Sequence, residues 1–131
     1  MIGKAVRMTL AEAASKWLDS VLSQDGIKLI KPAAGYSSCP DHTLKKDILE
    51  LLCGHVHWHH GHDCHCQGLG IELTESYAMA PEASICGLIF MHPEAGYPEI
   101  RKVSEGQYKS YMTRRGMDHE TARRFIGHLL K

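Results

Sequence analysis

Residues 70–96, GIELTESYAMAPEASICGLIFMHPEAG, decide the fold class. Before this stretch the apolar residues recur at helical spacing. From Ile71 they alternate, with Ile71 and Leu73 set against Glu72 and Thr74, which is the period of a half-buried strand. Residues 84–91 form a nearly continuous apolar run that suits a central strand, and HPEAG at 92–96 is a turn signal. A third extended segment is expected at 97–103, with Pro98 placing its start at a sheet edge. Three consecutive strands with short connections predict an antiparallel meander.

On the N-terminal side, Thr9 and Glu12 read as a capping box, and Leu10, Ala13, Ala14, Trp17, Leu18, Val21 and Leu22 share one helical face that assigns Trp17 to the core. Asp25 and Gly26 stop that helix. Residues 27–30 are extended, and Lys31 precedes Pro32, which excludes helical geometry there. Asp41 or Thr43 caps a second helix, with Leu44, Ile48, Leu51 and Leu52 inward and Gly54 at its end.

On the C-terminal side, Ser104 and Gln107 form another capping box before a face of Tyr108, Tyr111 and Met112, and Gly116 closes the helix. Asp118 caps a last helix with Ala122, Phe125, Ile126, Leu129 and Leu130 inward. Arg114, Arg115, Arg123 and Arg124 are left as a solvated face. The expected class is α+β: an antiparallel sheet of about three or more strands, packed by two helices from each half of the chain.

Composition sets the outer bounds. The 131 residues carry 15 Lys and Arg against 15 Asp and Glu, so no basic patch is advertised and neither nucleic acid nor an anionic membrane is an expected partner. No apolar run has the length of a spanning helix, and the N-terminus lacks the pattern of a signal peptide, which makes a cytoplasmic protein the expectation. The five cysteines are odd in number and irregularly spaced, as in a reducing compartment. No repeat or linker divides the chain. A single domain over 1–131 is expected, with a His/Cys-rich insertion at 55–66.

That insertion reads HVHWHHGHDCHC. Its His55, His57, His59, His60, His62, Cys64, His65 and Cys66 are imidazole and thiol ligands of the kind zinc or nickel takes. The spacing is local and over-supplied, unlike the two separated ligand pairs of a zinc ribbon. A defined metal site and a low-complexity insertion that binds metal opportunistically both fit.

The loop at 31–42, KPAAGYSSCPDH, concentrates a cation, a ring, a thiol, a carboxylate and an imidazole. Taken alone, Cys39, Asp41 and His42 could form a nucleophile site, or they could shape the loop and cap the next helix.

Three stretches, KPAAGYSSCPDHTLKKDILELL, IELTESYAMAPEASICGLIFMHPEAGYPEI and QYKSYMTRRGM, resemble in the same order the C-terminal activation domain of cobalamin-dependent methionine synthase. The signatures GY..CPDHT and LTES.AM.P.AS carry the resemblance. It implies an S-adenosylmethionine-binding module that serves reductive methylation of cob(II)alamin, with cobalamin held by a partner methionine synthase chain and an electron from a flavodoxin-like donor. Such a component belongs to a methyltransferase.

Carried over by motif, Lys31, Ala33 and Tyr36 form one wall of the cofactor site and Tyr97 the other; the Gly35 backbone permits close approach, and Glu75 is a candidate for the rim. Three features depart from the family, one of them the His/Cys tract, which occupies a connection that is short there. Lys31 stands where the family has arginine, which keeps the charge and loses the bidentate fork. The family domain also extends further on its N-terminal side. The resemblance implies a stand-alone reactivation subunit. The alternative is a metal-binding or interaction module, acting through 55–66, that has lost reactivation.

Overall fold

The computed structural model describes residues 2–53 and 70–131. In chain order the elements are α1 (Ile2–Leu22), β1 (Lys28–Ile30), α2 (Leu44–Cys53), β2 (Glu72–Leu73), β3 (Met79–Ala80), β4 (Phe90–His92), α3 (Glu105–Arg115) and α4 (His119–Ile126), with a closing 3-10 turn at Gly127–Leu129. The class is α+β, as expected. The three-stranded meander is not found among the described residues. Instead β1 pairs antiparallel with β4 and β2 with β3, as two separate two-stranded sheets.

Backbone chemistry explains the difference. Pro32 has no N–H to donate, and it follows β1 closely, so the ladder with β4 runs only from Lys28 opposite His92 to Ile30 opposite Phe90. The apolar run at 84–91 therefore enters a strand only at its end, and Ile85, Leu88, Ile89, Phe90 and Met91 are exposed rather than central. Residues 97–103 find other partners. The Ile100 N–H donates to the Ser37 carbonyl (2.9 Å) and that of Val103 to the Leu129 carbonyl (2.8 Å), so these groups are satisfied without a ladder.

The core lies in the C-terminal third. Tyr108 and Met112 of α3 pack with Ala122 and Ile126 of α4 and with Leu129, and Ile100, Val103, Tyr111 and Met117 close around them. Both helices start as the sequence predicts. Ser104 accepts from the Gln107 N–H while the Gln107 side chain accepts from the Ser104 N–H, and Asp118 accepts from the Thr121 N–H. Gly116 ends α3 at φ 60°, a left-handed conformation that glycine adopts without steric cost. Phe125 is half-buried and Leu130 exposed, so the inward face of this last segment is narrower than its apolar content.

Three further expectations are corrected. Helix α1 begins at Ile2, so Thr9 lies inside it and its hydroxyl donates back to the Ala5 carbonyl (2.9 Å) instead of capping. Trp17 is 62% exposed, because the half-buried side of α1 is the one bearing Ser15, Leu18, Asp19 and Leu22. In α2 the buried pair is Ile48 and Leu49, while Leu51 and Leu52 are exposed; the expected stop at Gly54 lies outside the described residues. No described helix is long and apolar enough to cross a membrane.

Candidate functional site

The 31–42 loop is held by its own backbone. The Gly35 N–H donates to the Cys39 carbonyl (2.7 Å), the Cys39 N–H to the Tyr36 carbonyl (2.8 Å) and the Tyr36 N–H to the Ala33 carbonyl (3.2 Å). Gly35 sits at φ 100°, which a side chain would resist, and the His42 ring fills the space a Cβ would need. This closed loop buries Pro32 and Ala34 and leaves Tyr36 70% exposed. It presents an open ring on a fixed backbone.

Tyr97 meets this loop directly. The Lys31 N–H donates to the Tyr97 hydroxyl (2.8 Å), joining positions 66 apart in the chain, and the Tyr97 ring is 59% exposed. Together with the Ile100 to Ser37 bond, this lays the start of the 97–103 segment along the loop. The Lys31 side chain points elsewhere. Its ammonium donates to the carbonyl and hydroxyl of Ser15 (2.8 Å each) and pairs with Asp19 (2.7 Å), so it fastens the loop to α1. Ala33 is half-buried in the same loop. Glu75 is exposed in the β2–β3 turn, and no hydrogen bond or ion pair among the described residues joins it to the loop.

The CPDH half is structural in its contacts. Asp41 is 3% exposed; its Oδ1 accepts from the Thr43 N–H (2.8 Å) and hydroxyl (2.7 Å), and its Oδ2 accepts from the Tyr111 hydroxyl of α3 (2.7 Å). Burial first, and then this bond to Asp41, push the Tyr111 phenol well above its ordinary range. Arg115 reaches the same place. It pairs with Asp47 and donates to the Thr43 hydroxyl (3.1 Å), with its Nε 3.7 Å from Asp41 Oδ2. Arg115 is therefore not part of a solvated face: it clamps α3 onto the start of α2.

No activated nucleophile results. Burial raises the Cys39 thiol and nearby Asp41 raises it further, which favours the unreactive neutral form. Cys86 is likewise raised by burial, with Lys45 opposing. Among the described residues no group of three His, Cys, Asp or Glu could hold a metal ion. His55, His57, His59, His60, His62, Cys64, His65 and Cys66 lie outside the described residues.

Of the two alternatives open for His42, its contacts fit loop shape, and nothing local in the sequence singles out Lys45, Asp47, Tyr111 or Arg115 as partners of the loop. One signal for the last two is present: Tyr111 and Arg115 are four apart on α3 and share a face. Their partners lie some seventy positions upstream, beyond the reach of local pattern.

Comparison with known proteins gives two matches. The family model described as vitamin B12 dependent methionine synthase, activation domain, matches residues 4–116. The crystal structure of the MetH reactivation domain bound to AdoHcy is 35% identical to this chain, covers 79% of it and superposes with a TM-score of 0.62. The match spans 28% of that solved chain, so this chain corresponds to a minor part of its relative's length.

Proposed function

The chain belongs to the activation-domain family of vitamin B12-dependent methionine synthases, and from that premise we propose that it binds S-adenosylmethionine where the 31–36 loop meets Tyr97. It would act as a reactivation subunit for a methionine synthase chain that carries the cobalamin, with a flavodoxin-like protein as electron donor. One observation supports this most: the Lys31 N–H to Tyr97 hydroxyl bond brings together the two motif segments to which the resemblance assigns the cofactor.

The residues present suit the ligand. S-adenosylmethionine combines a flat base, a sulfonium cation and an amino acid zwitterion. It is recognised by aromatic faces and by backbone donors and acceptors held at fixed spacing. Exposed Tyr36 and Tyr97 offer the rings, the Ala33 backbone allows close approach while the open side of Gly35 is taken by His42, and Glu75 would lie toward the rim. Lys31 would receive the carboxylate only by giving up one of its present partners, since its three donors are engaged by the Ser15 carbonyl, the Ser15 hydroxyl and Asp19. When bound, the ligand supplies an electrophilic methyl group for the partner's reduced cobalt. The contribution of this chain is to bind and orient it.

Titration calorimetry with AdoHcy and with S-adenosylmethionine tests the reading, on the chain alone and mixed with a cobalamin-loaded methionine synthase. Binding is expected, weakened about ten-fold or more in Tyr97→Ala through loss of the ring and of the acceptor for Lys31. Absence of binding in both settings would sink the proposal.

A further inference from the structure

A second arrangement lies beneath the loop. The His42 ring fills the place of a side chain at Gly35: a Cβ there would stand 2.5 Å from its Nδ1 and 2.6 Å from its Nε2. Lys45, on the first turn of α2, donates its ammonium both to His42 Nδ1 (3.0 Å) and to the Tyr77 carbonyl (3.0 Å). Tyr77 follows Glu75 in the β2–β3 turn. It adopts φ 58°, rare for a residue with a bulky side chain, and its ring stands edge-on to Phe125 with centroids 5.0 Å apart. One cation thus bridges two unusual backbone positions, one in the loop and one in the turn.

We infer that Lys45 is a positioning residue for the proposed S-adenosylmethionine site: through the His42 ring and the Tyr77 carbonyl it holds the 31–36 loop and the Glu75 turn in one fixed relation. This rests on the ligand reading of that loop, but the bridge itself can be tested without ligand.

The bridge fixes the state of His42. An ammonium has no lone pair, so the shared bond requires an unprotonated Nδ1 and hence the tautomer with its proton on Nε2. The surroundings favour this neutral form. Burial lowers the His42 pKa first, Lys45 and then His128 of the closing turn lower it further, and Asp41 alone opposes them. Lys45 is itself lowered by burial, with Cys86 opposing. The bridge is therefore intact above the ordinary imidazole value of 6.5 and is lost as pH falls through the depressed folded value, where a protonated Nδ1 repels the ammonium.

Lys45→Met keeps the aliphatic stem and removes both donated bonds. In calorimetry it is expected to bind AdoHcy about ten-fold more weakly than wild type, with Lys45→Arg, which retains donors, recovering part of the loss. Wild-type affinity should decline on acidification through the His42 titration, and this decline should be absent in Lys45→Met. Nitrogen NMR of the imidazoles should find His42 in the Nε2–H tautomer with a depressed pKa, and should see that pKa rise in Lys45→Met.

Equal AdoHcy affinities in wild type and Lys45→Met overturn the inference, as does a His42 titration indifferent to the substitution. If wild type binds no AdoHcy, the ligand reading fails, and the NMR titration still decides the bridge.

Discussion

Helix α4, eight residues long, buries Ala122 and Ile126 and runs into a turn that buries Leu129, whereas the 21-residue α1 buries nothing completely. Both have apolar residues at helical spacing. In α4 that face meets α3, brought alongside by the tight connection through Gly116 and capped Asp118. In α1 the positions of Ile2, Val6, Leu10, Trp17 and Val21 fall on one stripe, and all five are exposed. Among the described residues α1 is fastened by polar bonds, Lys31 to Ser15 and Asp19 and Lys4 to Glu82, beside the half-buried Leu18 and Leu22. Amphipathic spacing specifies a helix and which side of it is apolar; whether that side is covered depends on what the chain brings against it.

The contrast is sharpest in the core. Ile126→Ala should cost about 2–5 kcal/mol in urea unfolding, since it removes a branched side chain from packing with Tyr108, Met112 and Leu129. A loss below about 1 kcal/mol would mean that this end of the molecule is as loosely packed as α1 and would erase the difference. Tyr111→Phe comes next, at about 2 kcal/mol, because it leaves buried Asp41 Oδ2 without its hydroxyl donor while keeping the ring. The same change in a double-mutant cycle with Arg115→Met should be non-additive, since both residues converge on the start of α2. Ser104→Ala should cost about 1 kcal/mol through loss of the α3 cap.

These sites also mark how far local pattern carries. The caps at Ser104 and Asp118 and the stop at Gly116 were legible because each is settled within four residues. Thr9 looked the same and misled, since a capping box identifies a helix start only where the helix does not continue upstream. The apolar run at 84–91 promised a central strand, but strand formation depends on the partner, and Pro32 cut that partner short. The motif resemblance located the loop and Tyr97. Arg115 clamping Asp47, and Lys45 joining His42 to Tyr77, depend on meetings between distant segments that carry no periodic signal.

Trp17→Ala is the smallest expected effect and the most informative about α1. A fully buried tryptophan replaced by alanine costs about 3–5 kcal/mol. At 62% exposure most of the ring is already in water, so little transfer free energy is at stake, and no closed cavity forms when it is removed. Its backbone carbonyl still accepts from the Ser20 hydroxyl (2.8 Å), a contact that the substitution leaves in place. Alanine also has the higher helix propensity, which offsets part of what contact is lost. The net change in unfolding free energy should lie within about 0.5 kcal/mol of zero. Tryptophan fluorescence of the wild type should be red-shifted and accessible to an aqueous quencher to the degree that Trp17 dominates the emission, which a Trp58→Phe background isolates. A stability loss approaching that of Ile126→Ala, or emission shielded from quencher, would show the stripe to be covered in solution, and the two helical regions would then differ in what covers them rather than in whether they are covered.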